Sequence, residues 1–215
     1  TIVVVTDSTP TIHQHGNRSV ELLIIGAGPA GATAAIHAGR RGISTLLIDA
    51  QPFPRDKTCG DGLTPRAIHQ LQLLGLADSV VARYRSHGLK LHGFRGSVTA
   101  PWPESTFGTV GSAMPRREFD DFLVGCARSY PSVEFLGGVR AVSVSMSTPV
   151  GAGSGSVISG SGTVSGDAAS VGASVAAVEL SDGSWVRPKQ IIVADGVRSP
   201  IGKLLGRTWH KGEVY

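Results

Sequence analysis

The sequence predicts an α/β fold that opens on a βαβ unit, and three observations carry that prediction. Residues 20–25, VELLII, are a short apolar run; residues 29–42, PAGATAAIHAGRRG, follow as a helix of small residues closed by Gly42; residues 43–49, ISTLLID, are a second apolar run. Short runs without polar alternation belong to strands buried on both faces, and a helix between two of them is the crossover that makes such strands parallel. With 215 residues and 41% hydrophobic content, the chain can bury a substantial core.

Further elements follow in order. Thr64 and Pro65 start a helix, with the hydroxyl as N-cap and proline at the first helical position, and Ile68, Leu71 and Leu74 lie along one side until Gly75. Strand-like runs come next at 89–94, 97–100 and 109–113. A helix over 117–130 has Phe119, Phe122, Leu123 and Cys126 three or four apart, which reads Cys126 as core filling, and its Arg117 stands one turn from Asp121 for an ion pair. Strands are expected near 139–146 and 175–180, then a turn at Asp182-Gly183, then SWVRP and the apolar QIIVA. Between them, 14 of the 26 residues 149–174 are Gly or Ser and Asp167 is the only charge, so this segment reads as a flexible extended hairpin loop. The chain thus divides into an N-terminal tail, 1–19, and one domain, 20–215.

Composition narrows the function classes. The net charge of +4 comes from scattered Lys and Arg and points only weakly to an anionic partner, a nucleotide phosphate or a lipid surface. Aromatics are 6% and no basic stretch is interleaved with them, so no nucleic-acid partner is expected. No apolar run reaches the ~18 residues of a spanning helix, and residues 1–19 lack the pattern of a signal peptide. The expected location is therefore cytoplasmic, with peripheral contact to the cytoplasmic membrane as an extension. Cys59 and Cys126 make no disulfide framework or metal knuckle, and His13 and His15 read as part of a solvated tail, so no metal is expected.

The motif that carries chemistry is GAGPAG. Gly26, Gly28 and Gly31, with Pro29 and Ala30 between the last two, have the G-x-G-x-x-G spacing directly after a strand and at the opening of a helix. The first glycine allows the tight turn, the second lets backbone approach a pyrophosphate, and the third lets helix pack on strand. Free N–H groups at the helix start then face the phosphates. Asp49 ends the second strand, 18 residues beyond Gly31, where a carboxylate can accept both hydroxyls of an adenosine ribose and would repel a 2′-phosphate. The unit is Rossmann-like and FAD/NAD(P)-binding in type, and the motif does not by itself separate FAD from NAD.

Three further stretches do. MPRREFDDFL has the form Arg-x-x-Phe-Asp, IIVADGVRSPIGK places Asp195-Gly196 at the end of an apolar strand, and PFPRDKTCGDGLTP surrounds Cys59, Gly60 and Asp61. With GAGPAG and Asp49, in this order, they resemble the FAD-dependent geranylgeranyl reductase family over about residues 20–215. The likeness is strongest to actinobacterial members that saturate a double bond in the isoprenoid tail of menaquinone. The resemblance implies an FAD-binding domain of the hydroxybenzoate-hydroxylase-like flavoprotein type, C-terminally truncated, with the substrate-binding part largely missing.

Carried over residue by residue, it implies that Gly26, Gly28, Gly31 and Asp49 hold the ADP half of FAD and that Arg116 reaches the middle of the cofactor. Gly196 would permit close approach to the pyrophosphate, Asp195 would order the surrounding loop, and Cys59, Gly60 and Asp61 would border the flavin ring as the catalytic loop. The implied chemistry is hydride transfer from reduced FAD to an isolated prenyl C=C, with NAD(P)H or another donor as reductant and an isoprenoid lipid or quinone as substrate. A later Gly-Asp motif of the family is imitated by GDAAS at 166–170, yet that stretch precedes Asp195 and stands in the wrong order. A complementing C-terminal chain is therefore a further expected partner. Two alternatives stay open: an FAD-dependent aromatic monooxygenase or epoxidase of the same superfamily, and a non-catalytic nucleotide-binding remnant.

Overall fold

In a computed structural model, residues 17–58, 60–147, 157–159 and 174–207 of the chain are described. They form two compact units, one made of the described residues up to Pro54 and from Asp120 onward, the other of Arg55–Phe119.

The first unit opens on the expected βαβ: β1 (Asn17–Ile25), α1 (Pro29–Gly39) and β2 (Thr45–Asp49). β1 and β2 run parallel, with Leu22 opposite Thr45 and Ile25 opposite Ile48. Leu23, Ile24, Leu46 and Leu47 are fully buried, as strands covered on both faces require. Small residues let α1 lie close to its neighbours: Ala32 and Ala35 are fully buried, and a Cβ on Gly39 would stand 2.5 Å from the Tyr130 ring. The helix ends at Gly39, and Gly42, at φ +67, turns the chain towards β2. β1 begins at Asn17, ahead of the apolar run at Val20, because a nine-residue partner strand pairs along its whole length, Asn17 opposite Trp185.

The second unit contains β3 (Gly62–Leu63), α2 (Pro65–Leu73), α3 (Ala77–Val81), β4 (Gly88–Gly93), β5 (Gly96–Pro101), β6 (Ser112–Ala113) and the first turn of α4 (Arg116–Arg128). Thr64 caps α2, its hydroxyl accepting from the Ala67 N–H at 3.4 Å, while Ile68, Leu71 and Leu74 are buried. The five residues of α3 are too few to show a helical period, and the sequence reading has no helix there. Of the expected strand at 109–113 only β6 forms, paired antiparallel with β3. β4 and β5 make a two-stranded hairpin of their own, turning through Phe94 and Arg95, both at positive φ.

Along α4 the buried stripe is Phe119, Asp120, Leu123, Val124 and Ala127. Cys126, expected as core filling, lies one position off that stripe and is half-buried, and this burial pushes its thiol pKa up. Glu118 of the helix forms an ion pair with Arg83 at 2.8 Å, whereas the expected pairing of Arg117 with Asp121 is not among the ion pairs of the described residues.

β7 (Val133–Gly137), β8 (Ala141–Ser147), β9 (Val157–Ser159), β10 (Ser174–Leu180), β11 (Trp185–Val193) and α5 (Pro200–Leu204) complete the first unit. The seven-stranded sheet has the order β7-β2-β1-β11-β10-β8-β9, with β7, β2, β1 and β11 parallel and the rest antiparallel. β7 has no counterpart in the sequence reading, since Glu134 and Gly137 break its apolar run and pairing to β2 makes it a strand. SWVRP and QIIVA merge into the single strand β11, and the turn before it holds Gly183 at φ +83. Within residues 149–174, read from the sequence as a flexible extended hairpin loop, residues 157–159 form β9, which pairs antiparallel with β8, Ser143 opposite Ser159. Gly166, Asp167, His13 and His15 lie outside the described residues. The core gathers Leu23, Ile25, Leu46, Ile48, Val144, Val178, Val186, Ile191 and Val193 between sheet and helices.

Candidate functional site

Three segments far apart in sequence end at one rim of the seven-stranded sheet. β1, β2 and β11 are parallel, and Ile25 stands opposite both Ile48 and Val193, so the residues that follow these strands emerge side by side. The carboxyl ends of parallel strands are where α/β sheets take their ligands. Gly26, Gly28, Pro29, Ala30 and Gly31 follow β1, Asp49 closes β2, and Asp195 and Gly196 follow β11.

The glycines are dictated by contact. Gly26 has φ +99, and a Cβ there would lie 2.4 Å from the Ala194 carbonyl oxygen; a Cβ on Gly31 would lie 1.8 Å from the carbonyl oxygen of Gly26. The loop is thus pressed against the segment after β11 on one side and against its own helix on the other. The Gly26 N–H donates to the Ile48 carbonyl at 2.8 Å and the Ala27 N–H to Asp49 Oδ2 at 2.9 Å. Asp49 Oδ1 accepts from the Gln51 N–H at 3.0 Å, so this buried carboxylate ties the loop to the end of β2.

The start of α1 is left open. Gly28 is its N-cap with no side-chain cap, and no acid sits in the first turn. The N–H groups of Gly28, Ala30 and Gly31 have no carbonyl one turn earlier to accept them, and the partial positive charge of the helix end is not neutralised. Such an end is suited to an anion, a phosphate above all.

Asp195 adds an unsatisfied group. Its Oδ2 accepts from the Ile201 N–H at 3.2 Å at the start of α5, while its Oδ1 is buried with no partner. A buried carboxylate oxygen without a donor costs about 1–3 kcal/mol or more, so the atom is suited to a hydroxyl brought by a ligand. Gly196, at φ +93, lets the chain turn immediately after it. Ser199, just beyond the Asp195-Gly196 motif, closes this corner by accepting from the Gly202 N–H at 2.9 Å.

The remaining predicted residues gather in the second unit. Asp61 Oδ1 accepts from the backbone N–H of Arg116 at 3.0 Å, and the Asp61 carbonyl accepts from Met114 N–H at 3.0 Å. The β3–β6 pairing continues the strap. Two motifs 55 residues apart are therefore bound to each other, and the start of α4 takes its acceptor from the Gly60-Asp61 loop. They border an open cavity of about 520 Å³ lined also by Lys57, Thr58 and Arg117, the last expected from the sequence only in a surface ion pair. Cys59 lies outside the described residues.

The residues present fit a dinucleotide such as FAD on these grounds: a glycine cradle no side chain could occupy, an uncapped helix start and an orphaned carboxylate oxygen. Comparison with known proteins agrees. A family described as FAD binding domain matches residues 19–214. A menaquinone reductase of Mycolicibacterium smegmatis is 41% identical over 199 residues, which are 93% of this chain and 43% of that protein. The chain therefore spans less than half the length of this curated relative.

Among solved structures, a geranylgeranyl bacteriochlorophyll reductase-like protein from Thermoplasma acidophilum superposes with a TM-score of 0.63 over 89% of this chain and 43% of that one, at 24% identity. The p-nitrophenol 4-monooxygenase PnpA of Pseudomonas putida superposes with a TM-score of 0.63 over 89% of this chain and 45% of that one, at 16% identity. These likenesses show the expected fold, and the family match makes it that of an FAD-binding domain.

Proposed function

The chain belongs to the FAD binding domain family, and from that membership we propose that it is the cofactor-binding part of an oxidoreductase that reduces C=C bonds in the isoprenoid chain of a quinone or related lipid. The convergence of Gly26–Gly31, Asp49 and Asp195 at one rim of the sheet carries the cofactor half of this reading. The 41% identity to a menaquinone reductase supports the substrate half.

In this reading Gly26, Gly28 and Gly31 let backbone N–H groups meet the pyrophosphate. Asp49 holds the loop in shape and stands where a carboxylate accepts from the adenosine ribose. Asp195 takes a hydroxyl of the cofactor on Oδ1, and Gly196 keeps the neighbouring backbone clear. Arg116 is a second ligand of the cofactor, placed by Asp61, and Cys59, Gly60 and Asp61 belong to the loop beside its ring. FAD, reduced by NAD(P)H or another donor, supplies a hydride equivalent; the chain's own contribution is binding, orientation and exclusion of water. The remaining length of the relatives, in continuation of this chain or as a complementing chain, is the source of the substrate contacts. The site of action is the cytoplasmic membrane surface, where such lipids are dissolved.

The test is the visible spectrum of the 215-residue chain after incubation with FAD and desalting. A retained, shifted flavin band that is lost in Asp195→Ala supports the reading. A colourless but folded chain overturns it and leaves a non-catalytic nucleotide-binding remnant. The superposition on PnpA favours one second reading, an FAD-dependent monooxygenase or epoxidase. With the relatives' remaining length supplied, reduction of menaquinone without oxygen consumption decides for the reductase, and oxygen-dependent hydroxylation decides against it.

A further inference from the structure

The Gly60-Asp61 loop and the start of α4 are joined by a run of contacts rather than by one bond. The Asp61 carbonyl accepts from the Met114 N–H and Asp61 Oδ1 from the Arg116 N–H, each at 3.0 Å. Gly62 stands opposite Ala113 and Leu63 opposite Ser112, and a Cβ on Gly111 would lie 2.7 Å from the Leu63 carbonyl oxygen. By main chain and side chain alike, Asp61 is tied to the approach to α4. The strap is also short. Strands of two residues each hold far less than a sheet of ordinary length, so the strap belongs to the parts of a fold that open first.

Charge gives the reason for an acid at this place. Arg116 and Arg117 are the first two residues of α4, at the positive end of a 13-residue helix, where a cation is disfavoured. The acid of the helix's own first turn, Glu118, is engaged by Arg83 at 2.8 Å. Asp61 brings a second carboxylate to the helix end, from 55 positions upstream, and lines the same cavity as the two arginines. The guanidinium that meets the cofactor is therefore held at an unfavourable helix position by a carboxylate of the neighbouring loop.

We propose that Asp61 is a positioning residue that acts through Arg116 and so couples the cofactor to the Gly60-Asp61 loop. A cofactor held by Arg116 steadies the loop, and a loop loosened at Asp61 weakens the cofactor; the two effects are one coupling read from either end. This rests on Arg116 being a ligand of FAD, as proposed above, and it goes further in giving the Asp61 side chain no contact with substrate or flavin.

A cycle of variants in the 215-residue chain tests it, with FAD affinity read by fluorescence titration and order by hydrogen–deuterium exchange. Arg116→Gln removes the guanidinium and keeps the backbone N–H that Asp61 accepts, so every bond of the strap survives it. Asp61→Ala should weaken FAD about fivefold in the parent chain and leave the affinity unchanged in the Arg116→Gln background. Asp61→Asn keeps an acceptor oxygen and should recover most of the loss. With FAD saturating, exchange at residues 60–63 should be faster in Arg116→Gln than in the parent, and without FAD the two chains should exchange alike there. That comparison changes nothing at Asp61, so it decides even where Asp61→Ala unfolds the chain. An equal loss from Asp61→Ala in both backgrounds overturns the proposal, since Asp61 would then act on the cofactor by another route. So does exchange at 60–63 that is the same in the two FAD-loaded chains. A folded parent chain that binds no FAD sinks the oxidoreductase reading and this proposal together, whereas firm binding with additive substitutions sinks the proposal alone.

Discussion

Replacing Asp49 tests whether the phosphate cradle is held in shape from β2. The carboxylate is 8% exposed and accepts from the Ala27 N–H at 2.9 Å and from the Gln51 N–H at 3.0 Å. In Asp49→Asn the shape is kept, but only one amide atom accepts, and the other turns a donor towards the second N–H. Ala27 is fully buried and Gln51 is exposed, so the amide oxygen should serve Ala27 and leave Gln51 to water.

The loss is then the difference between a charged and a neutral acceptor, about 1–2 kcal/mol. Asp49→Ala leaves the Ala27 N–H without its acceptor in a dry site, which should cost about 3 kcal/mol. At roughly 2–4 °C per kcal/mol for a chain of this size, asparagine lowers the melting midpoint by about 2–8 °C and alanine by about 6–12 °C. Far-UV circular dichroism melts measure both. Equal midpoints for the two variants, or midpoints that match the parent chain, would refute the tie between β2 and the glycine loop.

Other perturbations follow the same logic. Gly31→Ala puts a methyl group 1.8 Å from a backbone oxygen that cannot rotate away, so α1 must lift from β1 at about 3 kcal/mol or more; a melt indistinguishable from the parent would contradict that packing. Asp61→Ala removes the acceptor of the Arg116 N–H and should loosen the start of α4 by about 0.5–2 kcal/mol, seen as faster tryptic cleavage after Arg116 and Arg117, with Asp61→Asn intermediate. Because burial pushes the Cys126 thiol pKa up, less thiolate is present near neutral pH, and iodoacetamide should label Cys126 more slowly in the folded chain than in urea; equal rates would argue against that burial.

Much of the cofactor end was legible in the chain because its signals are local. A tight turn, an apolar run and an N-cap are decided by residues within one or two turns of each other, so GAGPAG, the βαβ unit and the Thr64 cap could be read directly. α3 and β7 were not legible, because five residues carry too little period and β7 is a strand only through its pairing with β2. Cys126 was misplaced because helical spacing identifies a face but not its centre, and the buried stripe centres on Phe119, Leu123 and Ala127 instead.

Read alone, the sequence determined which residues can approach a phosphate, since only glycine accepts the backbone of Gly26 and the contact of Gly31. Tertiary structure decided what those residues meet. The order of the sheet sets β11 beside β1 and so brings Asp195 to the cradle from 164 positions beyond Gly31. Asp61, quoted in the sequence as a loop residue, takes the Arg116 N–H only because β3 pairs with β6. The physical reason is the same in both cases. A hydrogen bond between distant residues depends on strand register and sheet order, and these are set by the packing of the whole unit rather than by the residues that the bond joins.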